Sequence, residues 1–102
     1  MQLSIETKGN NMKTLKEFKE FLAKNMNKNF DTKMYDENNN LTWNAGIREL
    51  VFLNSVDFGF KTETGTSYCR LPNKANFRCI SNNSFKILIP EMGKYLEYTL
   101  VS

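Results

Sequence analysis

The chain contains no histidine, and this absence excludes several kinds of active site. Histidine is the usual general base near neutral pH and the commonest metal ligand, so neither a Ser-His-Asp nor a Cys-His arrangement can form. Phosphate-binding loops, dinucleotide-binding fingerprints and EF-hand loops are missing too. Asp36 and Glu37 are adjacent carboxylates, but they fall in a predicted turn, where solvated acids are common. We therefore expect a protein that is not an enzyme and has no catalytic residue, cofactor or metal site.

Cysteine is scarce, with only Cys69 and Cys79 in the chain. Their spacing is not that of a C-x-x-C zinc knuckle or redox motif, and two isolated thiols do not make a structural zinc site. We expect both to be reduced, buried and inert. A disulfide between them would require an oxidising compartment.

Long apolar runs are also missing, since the longest is Leu50–Leu53. The lysines near the start of the chain are not followed by the apolar stretch of a signal peptide, and no segment could span a bilayer. The sequence therefore predicts a cytoplasmic protein with no membrane partner.

Aromatic residues are plentiful, with eight Phe and four Tyr among 102 residues. A chain of this length forms one domain, and aromatic side chains bury enough area to dominate its core. We expect residues 1–102 to form a single domain in which residues 1–11 are a loosely held arm, with a short strand over Gln2–Lys8.

A helix is predicted from about Thr14 to Asn27. Thr14 and Glu17 have the spacing of a capping box, in which each side chain satisfies a free backbone N–H. Leu15, Phe18 and Leu22 then recur at helical spacing and form an apolar stripe.

From Thr32 onward the apolar residues recur every second position, as in strands. The predicted strands are Thr32–Asp36, Leu41–Trp43, 56–61, Thr66–Leu71, Phe77–Ser81, Ser84–Ile89 and Tyr95–Val101. Ile47–Leu53 fits a helical turn or a strand, and we favour a strand. The predicted fold class is α+β, with one N-terminal amphipathic helix packed on an antiparallel, largely meander β-sheet. Its predicted core contains Phe18, Leu22, Phe58, Phe60, Phe85, Ile87 and Leu100.

Charge is unevenly distributed, although the formal net charge is only +3. Between Glu63 and Glu91 there are four basic residues and no acidic one. If neighbouring strands carry Arg70 and Arg78 side by side near Tyr68, they form a basic, aromatic platform. The candidate partner-binding residues are Tyr68, Arg70, Lys74, Arg78 and Lys86.

The same block also fits ordinary solvated strands, where Lys and Arg deter edge-to-edge pairing. Alternation places Phe77 and Phe85 on the face opposite Arg78 and Lys86, so these rings belong to the core. Arginine, which nucleic-acid interfaces favour, occurs only three times in the chain. The helix lysines are interrupted by glutamates and indicate a solvated face.

These patterns favour a small non-enzymatic binding protein that acts on a protein partner through a sheet face or edge. Size and an Asn- and Lys-rich composition further suggest a phage or mobile-element inhibitor of a host defence enzyme. The alternative is a nucleic-acid-binding module that uses the basic block over residues 64–90. A third interpretation is a virion or assembly subunit, for which an exposed edge strand would be the relevant feature.

Overall fold

A computed structural model describes residues 14–101 of the chain, beginning with helix α1 (Leu15–Lys24). The predicted capping box is present: Glu17 N–H donates to Thr14 Oγ1, and Thr14 N–H donates to a carboxylate oxygen of Glu17, both at 3.1 Å. These two bonds fix the first turn of the helix. The predicted arm over residues 1–11, with its short strand, lies outside the described residues.

The helix ends at Lys24, three residues before the predicted end at Asn27. Asn25 is the C-cap: its backbone N–H is shared between the carbonyls of Phe21 and Leu22, and its side-chain amide also donates to Phe21, so these bonds close the last turn. Asn27 then adopts a left-handed conformation with φ of 67° and donates its N–H to the carbonyl of Leu50. The asparagine cluster therefore turns the chain onto the sheet.

Seven strands follow the helix. Strands that are consecutive in the sequence are antiparallel neighbours in the sheet, except β4 and β5. The strands are β1 (Asn29–Asp36), β2 (Leu41–Leu53), β3 (Asp57–Thr62), β4 (Gly65–Arg70), β5 (Phe77–Ser81), β6 (Ser84–Ile89) and β7 (Lys94–Leu100).

β1 begins at Asn29, three residues before the predicted start, and β3, β4 and β7 are shifted by one residue from their predicted bounds. Two further differences concern β2 and Val56. Leu41–Trp43 and Ile47–Leu53 belong to one thirteen-residue strand, β2, which confirms the strand interpretation of Ile47–Leu53. Val56 lies outside β3, although the alternation placed it with Phe58 and Phe60. The side-chain oxygen of Asn54 accepts the N–H groups of Val56 and Asp57, and this local turn leaves Val56 exposed.

The strand order in the single sheet is β4-β3-β2-β1-β7-β6-β5. β1 lies at the centre of the sheet, and β2, β3 and β4 follow outward to one edge. The chain then crosses to the other edge at β5 and returns through β6 to β7, which pairs with β1. The fold is therefore α+β, with one helix on a largely meander antiparallel sheet, as predicted. Consecutive strands β4 and β5 lie at opposite edges of the sheet.

All seven predicted core residues belong to one cluster, with Leu100 half-buried at its margin. Phe58 of β3 approaches Tyr98 of β7 and Phe85 of β6, with ring centroids 5.7 and 6.5 Å apart. Strands that are not neighbours can share such contacts only if the sheet curls, so its concave face wraps around α1. Four further residues complete the buried core: Phe30, Leu50, Phe77 and Tyr98.

Candidate functional site

The concave face holds a cavity of about 370 Å³ that α1 does not line. Six strands and the turn between β6 and β7 contribute to it. Its lining includes Thr32, Met34, Trp43, Arg48, Met92 and Leu96. Arginine is the only charged residue type in the lining, which contains no Asp or Glu. We call this site the concave cavity. It is mostly apolar and carries positive charge alone, which is a typical composition for a binding site rather than for a packing defect.

Two β-bulges in β2 shape one side of the concave cavity. Thr32 of β1 pairs with Gly46 but the next residue pairs with Asn44, so Ala45 is an extra residue in the ladder. A second register shift follows next to Trp43. Gly46 has φ of 78°, a left-handed conformation that glycine adopts without strain. Bulges bend a strand and re-aim its side chains, and here Trp43 and Ala45 line the cavity.

Thr32 supplies a buried hydroxyl to the concave cavity. The residue is 8% exposed, and its Oγ1 has no hydrogen-bond partner within residues 14–101. A buried hydroxyl without a partner destabilises a protein by about 1–3 kcal/mol. Such a group is uncommon in folded proteins and commonly indicates a ligand or water position.

Arg48 is half-buried and lines the same cavity. Its Nε donates to the carbonyl of Ala45 at 3.2 Å, and Nη1 reaches the carbonyl of Lys61 at 3.5 Å. Neither acceptor carries charge, and no carboxylate pairs with Arg48 among the described residues. Its positive charge is therefore held in place without a compensating anion within residues 14–101.

Cys69 also lines the cavity, as a half-buried free thiol. Burial raises the pKa of Cys69 to about 11, although a hydrogen bond with Tyr98 lowers it in part. Burial likewise raises the pKa of Tyr98 well above its usual value. Both groups are protonated at neutral pH, so neither is an activated nucleophile or base. Cys79 is free as well. Both thiols were predicted to be buried, and the structure shows them half-buried.

The free edge of β4 borders the cavity. Leu71 N–H donates to the carbonyl of Val56, and antiparallel alternation then makes Gly65, Ser67 and Cys69 the residues that bond to β3. The backbone N–H and C=O groups of the intervening residues point away from the sheet. These residues are Thr66, Tyr68 and Arg70. All six residues of β4 pair with β3 without a register shift, so this edge is straight and regular.

The opposite edge, β5, is blocked by its own side chains. Arg78 donates to the carbonyls of Ala75 and Phe77 at 3.1 and 2.9 Å, and the Cys79 thiol donates to the carbonyl of Ser81. The pairing with β6 also shifts register between Cys79 and Ser81. Occupied carbonyls and a bulge are common protections of an edge strand.

The predicted site residues separate into different regions. Tyr68 and Arg70 lie on β4 at the border of the concave cavity. They pair with Gly59 and Asp57, so their side chains lie on the face opposite Phe58, where Arg70 contacts Asp57 at 3.1 Å. Arg78 lies on the opposite edge, so the expected platform of Arg70 and Arg78 on neighbouring strands is wrong. The sequence suggested adjacency because the two strands follow one another along the chain. Lys74 is exposed in the connection between them.

Lys86 lies on the convex face, on β6. Its Nζ is 5.3 Å from the ring centroid of Tyr35 and 5.6 Å from that of Tyr95. The rings beside this cation therefore come from β1 and β7, and Phe85 is in the core as predicted. A cation that already contacts two rings gains part of its stabilisation within the fold.

The adjacent carboxylates at residues 36 and 37 lie at the first hairpin. Asp36 accepts the backbone N–H groups of Asn40 and Asn38, each at 2.9 Å. The bond from Asn40 is the main reason why the pKa of the Asp36 carboxyl lies below its usual value. This carboxylate fixes the hairpin loop.

Sequence reasoning missed Thr32, Trp43 and Arg48. One signal for this region was present, because Gly46 interrupts an otherwise strand-like segment, and a glycine inside a strand commonly indicates a bulge. Nothing in the local pattern distinguishes Arg48 from a solvated strand residue.

Comparison with protein-family models, curated proteins and solved structures gives no match to this chain. Within residues 14–101, no three His, Cys, Asp or Glu side chains gather as a metal site requires. The one helix in this part of the chain is too short to cross a bilayer.

Proposed function

We propose that the protein is a non-enzymatic binding protein that takes up an extended segment of a protein partner along the free edge of β4. The observation that carries this proposal is the contrast between the two sheet edges. β4 is regular and directs its free backbone groups outward, with the Arg70 carbonyl at its end accepting the Cys69 thiol at 3.6 Å. β5 is instead bulged, and its carbonyls accept the side chains of Arg78 and Cys79 at 2.9 and 3.2 Å. An extended chain can add to an edge of the first kind by forming backbone hydrogen bonds.

The side chains beside β4 suit such a segment. Tyr68 is 61% exposed on the strand itself, and Trp43 and Met92 are each 54% exposed at the concave cavity. Aromatic and methionine side chains of this kind are enriched in protein interfaces. Arg70 is paired with Asp57 through Nε, so it adds only a partly neutralised charge beside this edge.

The separation of Arg70 from Arg78 favours a protein partner over a nucleic acid. A polynucleotide needs several cations along one path, together with stacking rings on the same side. Arg78 and Lys86 are paired across β5 and β6 and share the convex face, but Arg70 lies at the opposite edge of the sheet, so the three cations do not form one path. A phage or mobile-element inhibitor of a host defence enzyme would act here by holding a segment that the enzyme needs elsewhere.

The test is selection of peptides from a random display library against the protein at about 0.15 M salt. A selected peptide, made synthetically, is then titrated against the parent and two variants. Thr66→Pro removes an N–H that points outward and leaves the bonds between β3 and β4 intact, and Thr66→Ala is the matched control. We expect Thr66→Pro to weaken binding at least tenfold and Thr66→Ala to leave it within about twofold.

Backbone amide exchange locates the contact. Binding along β4 should slow exchange of the Thr66, Tyr68 and Arg70 amides and leave β5 unchanged. Protection at β5, equal binding by Thr66→Pro, or failure to select any peptide would contradict the proposal. Concentration-dependent dimerisation that Thr66→Pro abolishes would instead identify the occupant of this edge as a second copy of the chain, as in an assembly subunit.

A further inference from the structure

The concave cavity has properties that edge pairing along β4 does not use. At about 370 Å³ it lies at the small end of the range of about 300–1,000 Å³ that is typical of ligand pockets. Met34 and Leu96 supply apolar lining from the central strands β1 and β7. A small molecule with an apolar body therefore fits this space.

The uncompensated charge of Arg48 determines the polar end of that molecule. Its two bonds to backbone carbonyls leave three of the five guanidinium N–H groups for a ligand. The other arginine in the lining, Arg70, is already paired with Asp57. One uncompensated cation matches one negative charge, and a planar carboxylate matches the planar guanidinium fork.

Thr32 provides a second, independent indication. Thr32 lines the cavity and is more than nine-tenths buried, and its hydroxyl has no hydrogen-bond partner in the described part of the chain. Thr32 pairs across the sheet with Gly46, two residues before Arg48 on β2. A ligand oxygen there would satisfy the hydroxyl and remove the penalty of leaving it without a partner.

We propose that the concave cavity binds a small apolar monocarboxylic acid. Arg48 holds the carboxylate, Thr32 donates its hydroxyl to a ligand oxygen, and Met34 and Leu96 contact the apolar body. This site is distinct in chemistry from backbone pairing at the β4 edge, so either can exist without the other.

The experiment uses octanoate, octanol and octylammonium, which share an apolar chain and differ in charge. Each is titrated into protein labelled with ¹³C at the methionine methyl groups. We expect octanoate to shift the signals of Met34 and Met92 and to bind at least tenfold more tightly than octanol, with octylammonium weakest. Equal affinities for octanoate and octanol, or no shift of these methyl signals by octanoate, would overturn the proposal.

Two variants separate the roles of the polar groups. Arg48→Met keeps an unbranched apolar stem and should remove the preference for octanoate over octanol, whereas Lys86→Met on the convex face should preserve it. Thr32→Val has nearly the same shape, so it should weaken octanoate several-fold without lowering the midpoint of chemical unfolding. A preference that survives Arg48→Met, or octanoate affinity unchanged in Thr32→Val, would contradict the assignment. Because Thr32→Val removes a hydroxyl without a partner, it stays a valid test even if Arg48→Met fails to fold.

Discussion

The ring of Tyr98 in β7 stacks on the ring of Phe60 in β3, with centroids 5.0 Å apart and planes 11° apart. β1 and β2 lie between these strands, and in a flat sheet three steps of about 4.8 Å would separate them by about 14 Å. The stack therefore requires a sharply curled sheet. Both residues line the concave cavity, so the curl of the sheet also forms the cavity.

Phe58→Ala should destabilise the protein by about 3–5 kcal/mol, since the ring is fully buried among Phe18, Phe60 and Tyr98. Chemical denaturation measures the change in the free energy of unfolding. Val56→Ala is the control, because this neighbouring side chain is 47% exposed and should change stability by less than about 0.5 kcal/mol. A loss below about 1 kcal/mol for Phe58→Ala would contradict the central position of β3 in the core.

Thr14→Ala should lower stability by about 1 kcal/mol, because it removes the hydroxyl that accepts the N–H of Glu17. Thr14→Ser keeps this acceptor and should remain close to the parent in the same denaturation experiment. Equal losses in the two variants would show that the methyl group, and not the cap, is responsible.

Stability should fall as the pH rises from about 9 towards 11. The pKa of Cys69 rises from 9.0 to about 11 on folding, so the unfolded chain loses this proton first and is favoured at alkaline pH. Tyr98 acts in the same direction, since burial raises its pKa too. Each group changes the free energy of unfolding by at most about 1.4 kcal/mol per pH unit.

Denaturation across this pH range checks the assignment of the alkaline loss. Cys69→Ala and Tyr98→Phe should each show a shallower decline than the parent, and Cys79→Ala should retain the full decline. If Cys79→Ala flattens the profile as much as Cys69→Ala does, the assignment to Cys69 is wrong.

Both cysteines should be reduced in protein isolated from its native host, and Cys69 should react slowly while the protein is folded. At a pH near 8, a thiol with a pKa of about 11 is thiolate only about one part in a thousand. Mass measurement after alkylation should show two labels in denaturant and slow labelling of Cys69 without it. A mass two daltons lower with no labelling would show a disulfide, and with it an oxidising compartment.

Generic RNA or DNA should not bind at about 0.15 M salt with micromolar affinity, because the basic residues are dispersed and the net charge is only +3. Fluorescence anisotropy with unrelated oligonucleotides measures this. Arg70→Glu and Arg78→Glu, on opposite edges, form a matched pair. Micromolar or tighter binding would contradict this prediction if log K falls steeply and linearly with log salt and only the variant with both Arg70→Glu and Arg78→Glu loses it. That result would favour a nucleic acid over a protein partner.

The local elements of this fold were predictable because their causes lie within a few residues. Thr14 and Glu17 define the helix start, and the asparagine-rich loop after Asp36 defines the first hairpin. Alternation identified Phe58 and Phe85 as core residues, since one face of a curled sheet must be buried. Each of these arguments uses contacts between sequence neighbours.

The long-range arrangement was not predictable in the same way. Nothing in the sequence between β4 and β5 indicates that the chain crosses from one edge of the sheet to the other, so Arg70 and Arg78 were placed side by side. The cavity depends on that same arrangement, because Thr32 and Arg48 are neighbours on β1 and β2 but β3, β4 and β7 must converge to enclose the space beside them. Strand order and curvature arise from packing of the whole chain.

The insertion of β7 between β1 and β6 has a consequence for synthesis on the ribosome. Until Leu100 has left the exit tunnel, the nascent chain holds a four-stranded meander, β1 to β4, and a separate hairpin of β5 and β6. The inner edges at β1 and β6 stay open until β7 pairs with both. Closing the sheet joins Phe30 to Leu100 across most of the chain, a long-range contact of the kind that slows folding. The sheet therefore closes only after β7 has been made. Until then, the unpaired edges of β1 and β6 are the places where a newly made chain can mispair or bind a chaperone.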